Sequence, residues 1–438
     1  MIRLAKPAGG EGSQQGTSMD MGSTSIATAE DLLGWPAYVN RQEAIKVLGV
    51  KPQTLYSYVS RGLVRRNVDN GGRSSSYNFQ DIQRLKARSL ARSGHGPAAA
   101  NAIHWGEPVL STAITKITER GPLYGEHLAT DLARRKHRFE SVAEYLWTGA
   151  ALADDVIWCD AKHESLGRQL DEITRFHPKV HIRQLLTEVA LLLGMEQDDA
   201  VGVDGSRSDI EQARDLMQAM AGAFGFLGPG KRYAAPRHGD TIARVLARAL
   251  GVQATPDVTQ ALDGILVVVA DHEFTPATFA ARIAASAGND LYSCVGAALQ
   301  VHFGSALGLR CDLLEQRLGG PQPPEMDRAT AAASPSRALD HPLYRNGDPR
   351  AQVLVEIADK LTSRSRSRGG GSVMPLEQRT LSIDHALVAA CQSLGAARYA
   401  AGGLLAFGRM AGWIAHVFEQ RREQFVIRPR AKFVPRTL

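Results

Sequence analysis

Four separated runs concentrate histidine, aspartate and arginine among apolar neighbours. VVVADHEFTPATFAAR, 267–282, carries Asp271-His272-Glu273, and DHPLYRNGDPR, 340–350, holds His341 and Arg350. LSIDHAL, 381–387, holds Asp384 beside His385. FGRMAGWIAHVFEQ, 407–420, carries Arg409, and IRPRAKF, 427–433, adds Arg428. These residue types suit one kind of chemistry. The planar guanidinium fork of arginine grips carboxylates, while His and Asp move protons. A single buried His or Arg is more often a satisfied core group than a catalyst, so the weight rests on all of them together.

A further stretch raises a question. HFGSALGLRCDLLEQ, 302–316, reads as the end of one helix, a break bracketed by Gly304 and Gly308, and a second helix. Glycines are found where the backbone turns sharply or comes close to something. Such a break is a usual seat for a catalytic side chain, yet the residue inside it is Leu307.

The elements that must position these residues are helices. From about residue 105 onward, Ala- and Leu-rich segments are broken by Gly and Pro, and strands are scarce. SRSRSRGGGSVMP, 363–375, reads as a basic, flexible surface loop between helices. GFLGPGKR, 225–232, fits GxxxxGK, but Arg232 stands where Ser or Thr should hold magnesium, and the lead-in DLMQAMAGAF reads as helix rather than strand. It is not a phosphate loop.

The N-terminal part is different. Residues 1–35 are rich in Gly, Ser, Thr and Gln and are expected to be disordered, with Met19 or Met21 as alternative starts. Residues 36–95 form a separate small unit. RQEAIKVLG is a short helix ended by Gly49, and KPQTLYSYVSRG is a second, with Pro52 in its first turn. LVRRNVDNGGRSSSYN gives two strands around Asn70-Gly71-Gly72, and FQDIQRLKARSLARSG gives a third helix. That order describes a winged helix-turn-helix.

Charge sets this unit apart. The chain of 438 residues has a net charge of +6, but residues 36–95 alone hold eleven Lys/Arg against three Asp/Glu. Residues 1–35 hold two against four, which leaves the remainder neutral. The excess points to a polyanion partner for the small unit alone, against the plain alternative of a solvated basic face. Elsewhere composition is that of an ordinary globular protein, with 44% hydrophobic and 22% charged residues. No apolar run approaches the roughly 20 residues that cross a bilayer, so no membrane association is expected. The N-terminus lacks the apolar core of a secretory signal. Cys159, Cys294, Cys311 and Cys391 are scattered without CxxC spacing. Free thiols in a cytoplasmic protein explain them better than disulfides or a metal site.

The order and spacing of the motifs strongly resemble citrate synthase and its relative 2-methylcitrate synthase. The family pattern reads HADHE…TFAAR, GPLHG, GFGHRVY…DPR, a short xVDxxSG stretch, and RxxGWxAH…RPR. The corresponding runs here are VADHEFTPATFAAR, GSALG, ALDHPLYRNGDPR, SIDHAL and RMAGWIAH…RPR. GPLYGEHLATDLARRKHRFESVAEYLWTG also resembles the family's N-terminal part, so the likeness spans roughly 105–435. Residues 36–95 resemble MerR-type or excisionase-type DNA-binding domains.

The resemblance implies a mainly α fold over 96–438, with a large helical domain and a small one, roughly 308–395, that close over the substrates. It implies a homodimer, or a heterodimer with a paralogue. The reaction would join acetyl-CoA, or another acyl-CoA, to oxaloacetate and then hydrolyse the thioester, with no metal and no bound cofactor. His272, Arg350, Arg409 and Arg428 would hold oxaloacetate, one arginine coming from the partner subunit. His341 would polarise the ketone and protonate the new alkoxide, and Asp384 would take the proton from the acetyl methyl. In the small unit, Gln53, Thr54, Ser57 and Arg61 would face the major groove of double-stranded DNA, and Arg65, Arg66 and Arg73 would meet phosphates.

The departures bear on activity. Matching GPLHG onto GSALG puts Leu307 where the family has the histidine that stabilises the enol. Loss of one such donor typically costs about 10²–10³ in rate. His302, five residues earlier, lies about 140° around a continuous helix and should not substitute. Val269 replaces the first His of HADHE, and Ala338-Leu339-Asp340-His341 replaces GFGH. Two alternatives to a condensing enzyme therefore stay open. One is a DNA-binding regulator whose enzyme-like domain senses a di- or tricarboxylate. The other is a subunit that is inactive without an active paralogue.

Overall fold

The computed structural model describes residues 38–68, 75–79, 81–82, 85–86, 110–153, 156–158, 164–199, 208–304, 308–318, 343–344, 347–366, 382–423 and 425–429. The expected disordered segment 1–35, Arg73, Leu307 and His341 lie outside them.

The first unit begins with β1 (Tyr38–Asn40), a strand the sequence reading did not include. It runs directly into α1 (Arg41–Leu48). The change from strand to helix is set by a capping box: Asn40 Oδ1 accepts from the Glu43 amide at 3.0 Å, and Glu43 Oε2 accepts from the Asn40 amide at 3.0 Å. Gly49, at φ 65°, ends the helix in the left-handed region. After α2 (Pro52–Ser60) come β2 (Arg66–Val68) and β3 (Ser75–Asn78). The three strands form an antiparallel sheet in the order β1-β3-β2. Val39, Ala44, Leu55, Val64, Tyr77, Phe79 and Ile82 make a core that is separate from the main one.

The second region opens with another small antiparallel sheet, β4 (Thr115–Thr118), β5 (Gly121–Tyr124) and β6 (His127–Leu128). Helices then follow one another: α3 (Ala129–Arg134), α4 (Phe139–Thr148), α5 (Glu164–Phe176), α6 (Ile182–Asp199) and α7 (Asp209–Ala223). Next are α8 (Ile242–Ala249), α9 (Pro256–Val269), α10 (Pro276–Ser286) and α11 (Leu291–His302). The chain closes with α12 (Arg310–Leu318), α13 (Pro349–Arg366), α14 (Ile383–Leu394) and α15 (Ala400–Glu423). The fold is mainly helical, as expected. GFLGPGKR follows helix α7, not a strand, and Gly228 lies so close to the Ala249 carbonyl that a Cβ would sit 2.0 Å from it. Gly225 and Gly228 serve packing. One expectation is corrected: residues 363–366 of the supposed loop continue α13. Its apolar run, with Val353, Leu354, Val355 and Ala358 buried, carries the helix past the basic residues that suggested a loop.

The axis of the main core is α15. It is buried all round from Ala400 to Phe418, as expected for a helix that is packed on every side. It packs against α4, α9, α10 and α11. Small residues make this possible. A Cβ on Gly408 would sit 2.6 Å from Val269 Cγ2, and one on Gly412 would sit 2.1 Å from Asp271 Oδ1. The end of α9 therefore lies directly on α15. On the other side, α13 packs on α14, and α12 packs on α14 and α15. Among the described residues no helix is long and apolar enough to cross a membrane.

Candidate functional site

Spacing along α15 determines one wall of the site. Arg409, Gly412, Trp413 and His416 stand at i, i+3, i+4 and i+7, so they share a face. That face meets the turn leaving α9. Arg409 Nε donates to the Val269 carbonyl at 2.8 Å, and the Gly412 amide donates to the Ala270 carbonyl at 2.9 Å. His416 Nε2 lies 3.5 Å from Asp271 Oδ2. The turn itself is tight. The Glu273 amide donates to Asp271 Oδ2 at 3.0 Å, and Glu273 adopts φ 57°, the left-handed region that a non-glycine residue rarely occupies. Thr275 then caps α10. Asp271 is fully buried. Burial pushes its carboxyl upward, but His416 and then Arg409 outweigh it and hold it below the usual range.

The second wall begins α13. Asp348 Oδ1 accepts from the Arg350 backbone amide at 2.9 Å, and its two oxygens take Arg350 Nε at 3.0 Å and Nη2 at 2.7 Å. The guanidinium lies over the Tyr344 ring at 5.7 Å. Tyr344 in turn shares a hydrogen bond of 2.9 Å between its hydroxyl and His272 Nε2. His272, Tyr344 and Arg350 thus form one stack. Arg350 is 2% exposed, and its Nη1 has no protein partner among the described residues. Arg409 spends its Nε on the Val269 carbonyl. Burial, followed by the proximity of Arg350, lowers Arg409 to about 10. Burial also pulls on Arg350, but Asp348 reverses this and its pKa ends above the usual arginine value.

The third element is α14. Ser382 caps it by accepting from the His385 amide at 3.4 Å, which places Asp384 in the first turn. Burial raises the Asp384 carboxyl above its ordinary range, against the opposing pull of Arg310 and His385. The Cys311 thiol from α12 donates to Asp384 Oδ1 at 3.7 Å, and Arg310 Nη1 stands 4.0 Å from Oδ2.

His272, Arg350 and Arg409 are therefore brought together, and Asp384 lies within the electrostatic reach of Arg350. Arg428 is not part of this group: it is exposed on the segment after α15. It lies beyond the end of α15 at Glu423. Tyr344 and Tyr124 were missed. Tyr124 is fully buried, and its hydroxyl donates to the Val267 carbonyl at 3.0 Å while accepting from the Asp271 amide at 3.1 Å. The signal for Tyr344 was its place between His341 and Arg350. Tyr124 had only the GPLYG run to mark it. Among the described residues no group of His, Cys, Asp and Glu is arranged to hold a metal.

Comparison with known proteins fits this arrangement. The family model described as "Citrate synthase, C-terminal domain" matches residues 103–430. This chain belongs to the citrate synthase family. Within the family it is 26% identical over 281 residues to citrate synthase 2 of Bacillus subtilis, covering 59% of this chain and 75% of that one. It is 25% identical over 347 residues to the 2-methylcitrate synthase of Mycobacterium tuberculosis, covering 74% and 88%. The citrate synthase of Thermoplasma acidophilum, solved with carboxymethyl coenzyme A and oxaloacetate, superposes with a TM-score of 0.56 at 20% identity. That superposition covers 76% of this chain and 95% of the archaeal one. The enzyme of Pyrobaculum aerophilum gives a TM-score of 0.55 at 21% identity, over 76% and 91%. These likenesses establish the citrate synthase fold for the main helical region.

The residues singled out in the small N-terminal unit differ in their exposure. Gln53 and Arg61 are exposed on and after α2, while Thr54 and Ser57 are half-buried. Arg65 is committed elsewhere: its Nε pairs with Asp81 Oδ2 at 2.9 Å. Its assignment to phosphate contact weakens accordingly, because that pairing would have to break. Arg66 is exposed and bonds Ser75 Oγ through Nη2 at 2.6 Å.

Proposed function

We propose that this chain condenses an acyl-CoA with oxaloacetate. The observation that carries the reading is the pair of buried guanidiniums, Arg350 and Arg409, within electrostatic reach of each other, with Arg350 Nη1 filled by no protein group among the described residues. Two such groups close together repel one another and call for a small dianion between them. Oxaloacetate, with two carboxylates, answers that need. His272, held by Tyr344, borders the same space, and His341 is assigned to the ketone. Asp384 is the general base. Its buried, raised carboxyl suits abstraction of a weakly acidic methyl proton better than a solvated one. Arg428, exposed in this protomer, is assigned to the site of a partner copy in a homodimer or a heterodimer with a paralogue.

The test is release of CoA thiol from acetyl-CoA or propionyl-CoA with oxaloacetate. We expect turnover that depends on both substrates and is lost in Asp384→Asn. Absence of turnover with either thioester, together with thermal stabilisation by oxaloacetate or citrate, would favour a carboxylate sensor instead.

A second reading concerns residues 38–86. Exposed Gln53 and Arg61 on a basic two-helix unit favour binding of double-stranded DNA, with the wing arginines on phosphate. The prediction is a gel shift that weakens as salt rises and is lost in Arg61→Ala/Arg66→Ala. Unchanged binding in that double variant would reject this docking.

A further inference from the structure

His302 is the last residue of α11. The chain then turns back on it. The Gly308 amide donates to the His302 carbonyl at 2.8 Å, and a Cβ on Gly308 would lie 2.4 Å from that oxygen and 3.1 Å from His302 Cδ2. The glycine is thus required so that backbone can lie against the imidazole. The angular argument against His302 takes the helix as continuous past it, but α11 ends at His302 and Phe303 is the cap.

The imidazole faces the site wall. Its ring meets Trp413 edge-on at 5.4 Å, on the face of α15 that also carries Arg409 one turn earlier. It is 8% exposed, and its Nε2 has no hydrogen-bond partner among the described residues. Burial first, and Arg409 second, lower its pKa to about 3, so the ring is neutral at physiological pH. Three residues past Gly308, Cys311 touches the carboxylate of Asp384. A buried polar nitrogen without a partner calls for an explanation. A core histidine packed on tryptophan would ordinarily turn Nε2 onto a carbonyl.

We propose that His302 is a catalytic residue whose neutral Nε2–H hydrogen-bonds the thioester oxygen as the enolate forms. This rests on the condensing function proposed above. The step balances without transfer of this proton. The methyl C–H bond breaks and its proton moves to the Asp384 carboxylate. The released pair forms the C=C bond while the carbonyl π pair moves to oxygen, where the His302 N–H stabilises the charge. When the carbon adds to the ketone, the pair returns. The donor missing at Leu307 is thereby supplied from the helix end just before the break.

The experiment compares wild type with His302→Leu and His302→Gln, reading kcat for CoA release, KM for oxaloacetate, and oxaloacetate-induced thermal stabilisation. Glutamine keeps an N–H at the position of Nε2, and leucine does not. We expect His302→Leu to lower kcat by about 10²–10³, with stabilisation by oxaloacetate retained and His302→Gln recovering part of the rate. If His302→Leu fails to fold, His302→Gln with kcat lowered several-fold and KM unchanged supports the assignment, and an unchanged kcat in it overturns the assignment. An active wild type with an active His302→Leu would overturn the role of His302 and leave the condensing function standing. A wild type that binds oxaloacetate but turns over neither thioester would remove both.

Discussion

Asp384 sits where two effects oppose each other. The first turn of α14 favours negative charge through the helix dipole, yet burial wins and the carboxyl is raised. Cys311 moderates that rise, because its thiol donates to the charged form of Oδ1. Cys311→Ala should therefore raise the Asp384 pKa further and shift the acid limb of the kcat/KM profile to higher pH. A pH–rate series on the variant checks this, and an unmoved limb would mean that the thiol only fills space. At this scale the sequence was informative for Asp384, Arg350 and Arg409, because each stands inside a short motif whose local spacing fixes it. It marked Tyr344 only by its place between His341 and Arg350, and Tyr124 only by the GPLYG run. Their hydroxyls act on His272 and Asp271, partners 72 and 147 residues away, and nothing local encodes such a meeting. The angle drawn for His302 took the helix as continuous to 307, whereas α11 ends at His302 with Phe303 as its cap.

At the scale of elements, the site depends on the contact between α9 and α15. Gly412 permits it, since a methyl there would overlap Asp271 Oδ1. Gly412→Ala should destabilise the fold by about 1–3 kcal/mol, despite the better helix propensity of alanine, which is worth only about 1 kcal/mol. Thermal melts of the variant, expected to fall by several degrees, measure the balance. A rise would mean that α9 can slide away at little cost. The helical character of α15 and α9 was legible, but the close approach at Gly408 and Gly412 was not read from FGRMAGW. The sheet β4-β5-β6 was not legible, because strands of two to four residues leave no alternation to read. The end of α13 was misread because the residues at 363–366 are basic and polar, and only the packing of the preceding turns carries the helix on.

For the whole molecule, acid is the informative variable. Burial holds His302 neutral down to about 3, and burial with Arg183 holds His181 neutral down to about 4. The unfolded chain protonates both near 6.5. Between about 6.5 and 4 the unfolded state therefore binds more protons, and stability falls as pH falls. Asp312, raised by burial to about 6, acts in the opposite sense, since the folded state keeps its proton there. The raised carboxyls of Asp384, Glu273 and Glu315 act in that same opposite sense, so the histidine effect is read as a difference between variants, at most roughly 1.4 kcal/mol per pH unit for one imidazole. Taking wild type as the reference, the melting temperature of His302→Leu should change in the stabilising direction as pH goes from 6.5 to 4. An unchanged pH dependence in that variant would show that the imidazole reaches solvent.

The glycine contacts of α15 carry a consequence for anyone wishing to alter the acid proposed to bind here. Arg409 and the backbone seat for Asp271 ride on one rigid rod, spaced by contacts that tolerate no added methyl. Saturation libraries aimed at new specificity should hold positions 408 and 412 constant and randomise the lining around Tyr344. Diversity spent on the rod itself would cost stability before any selection for substrate began.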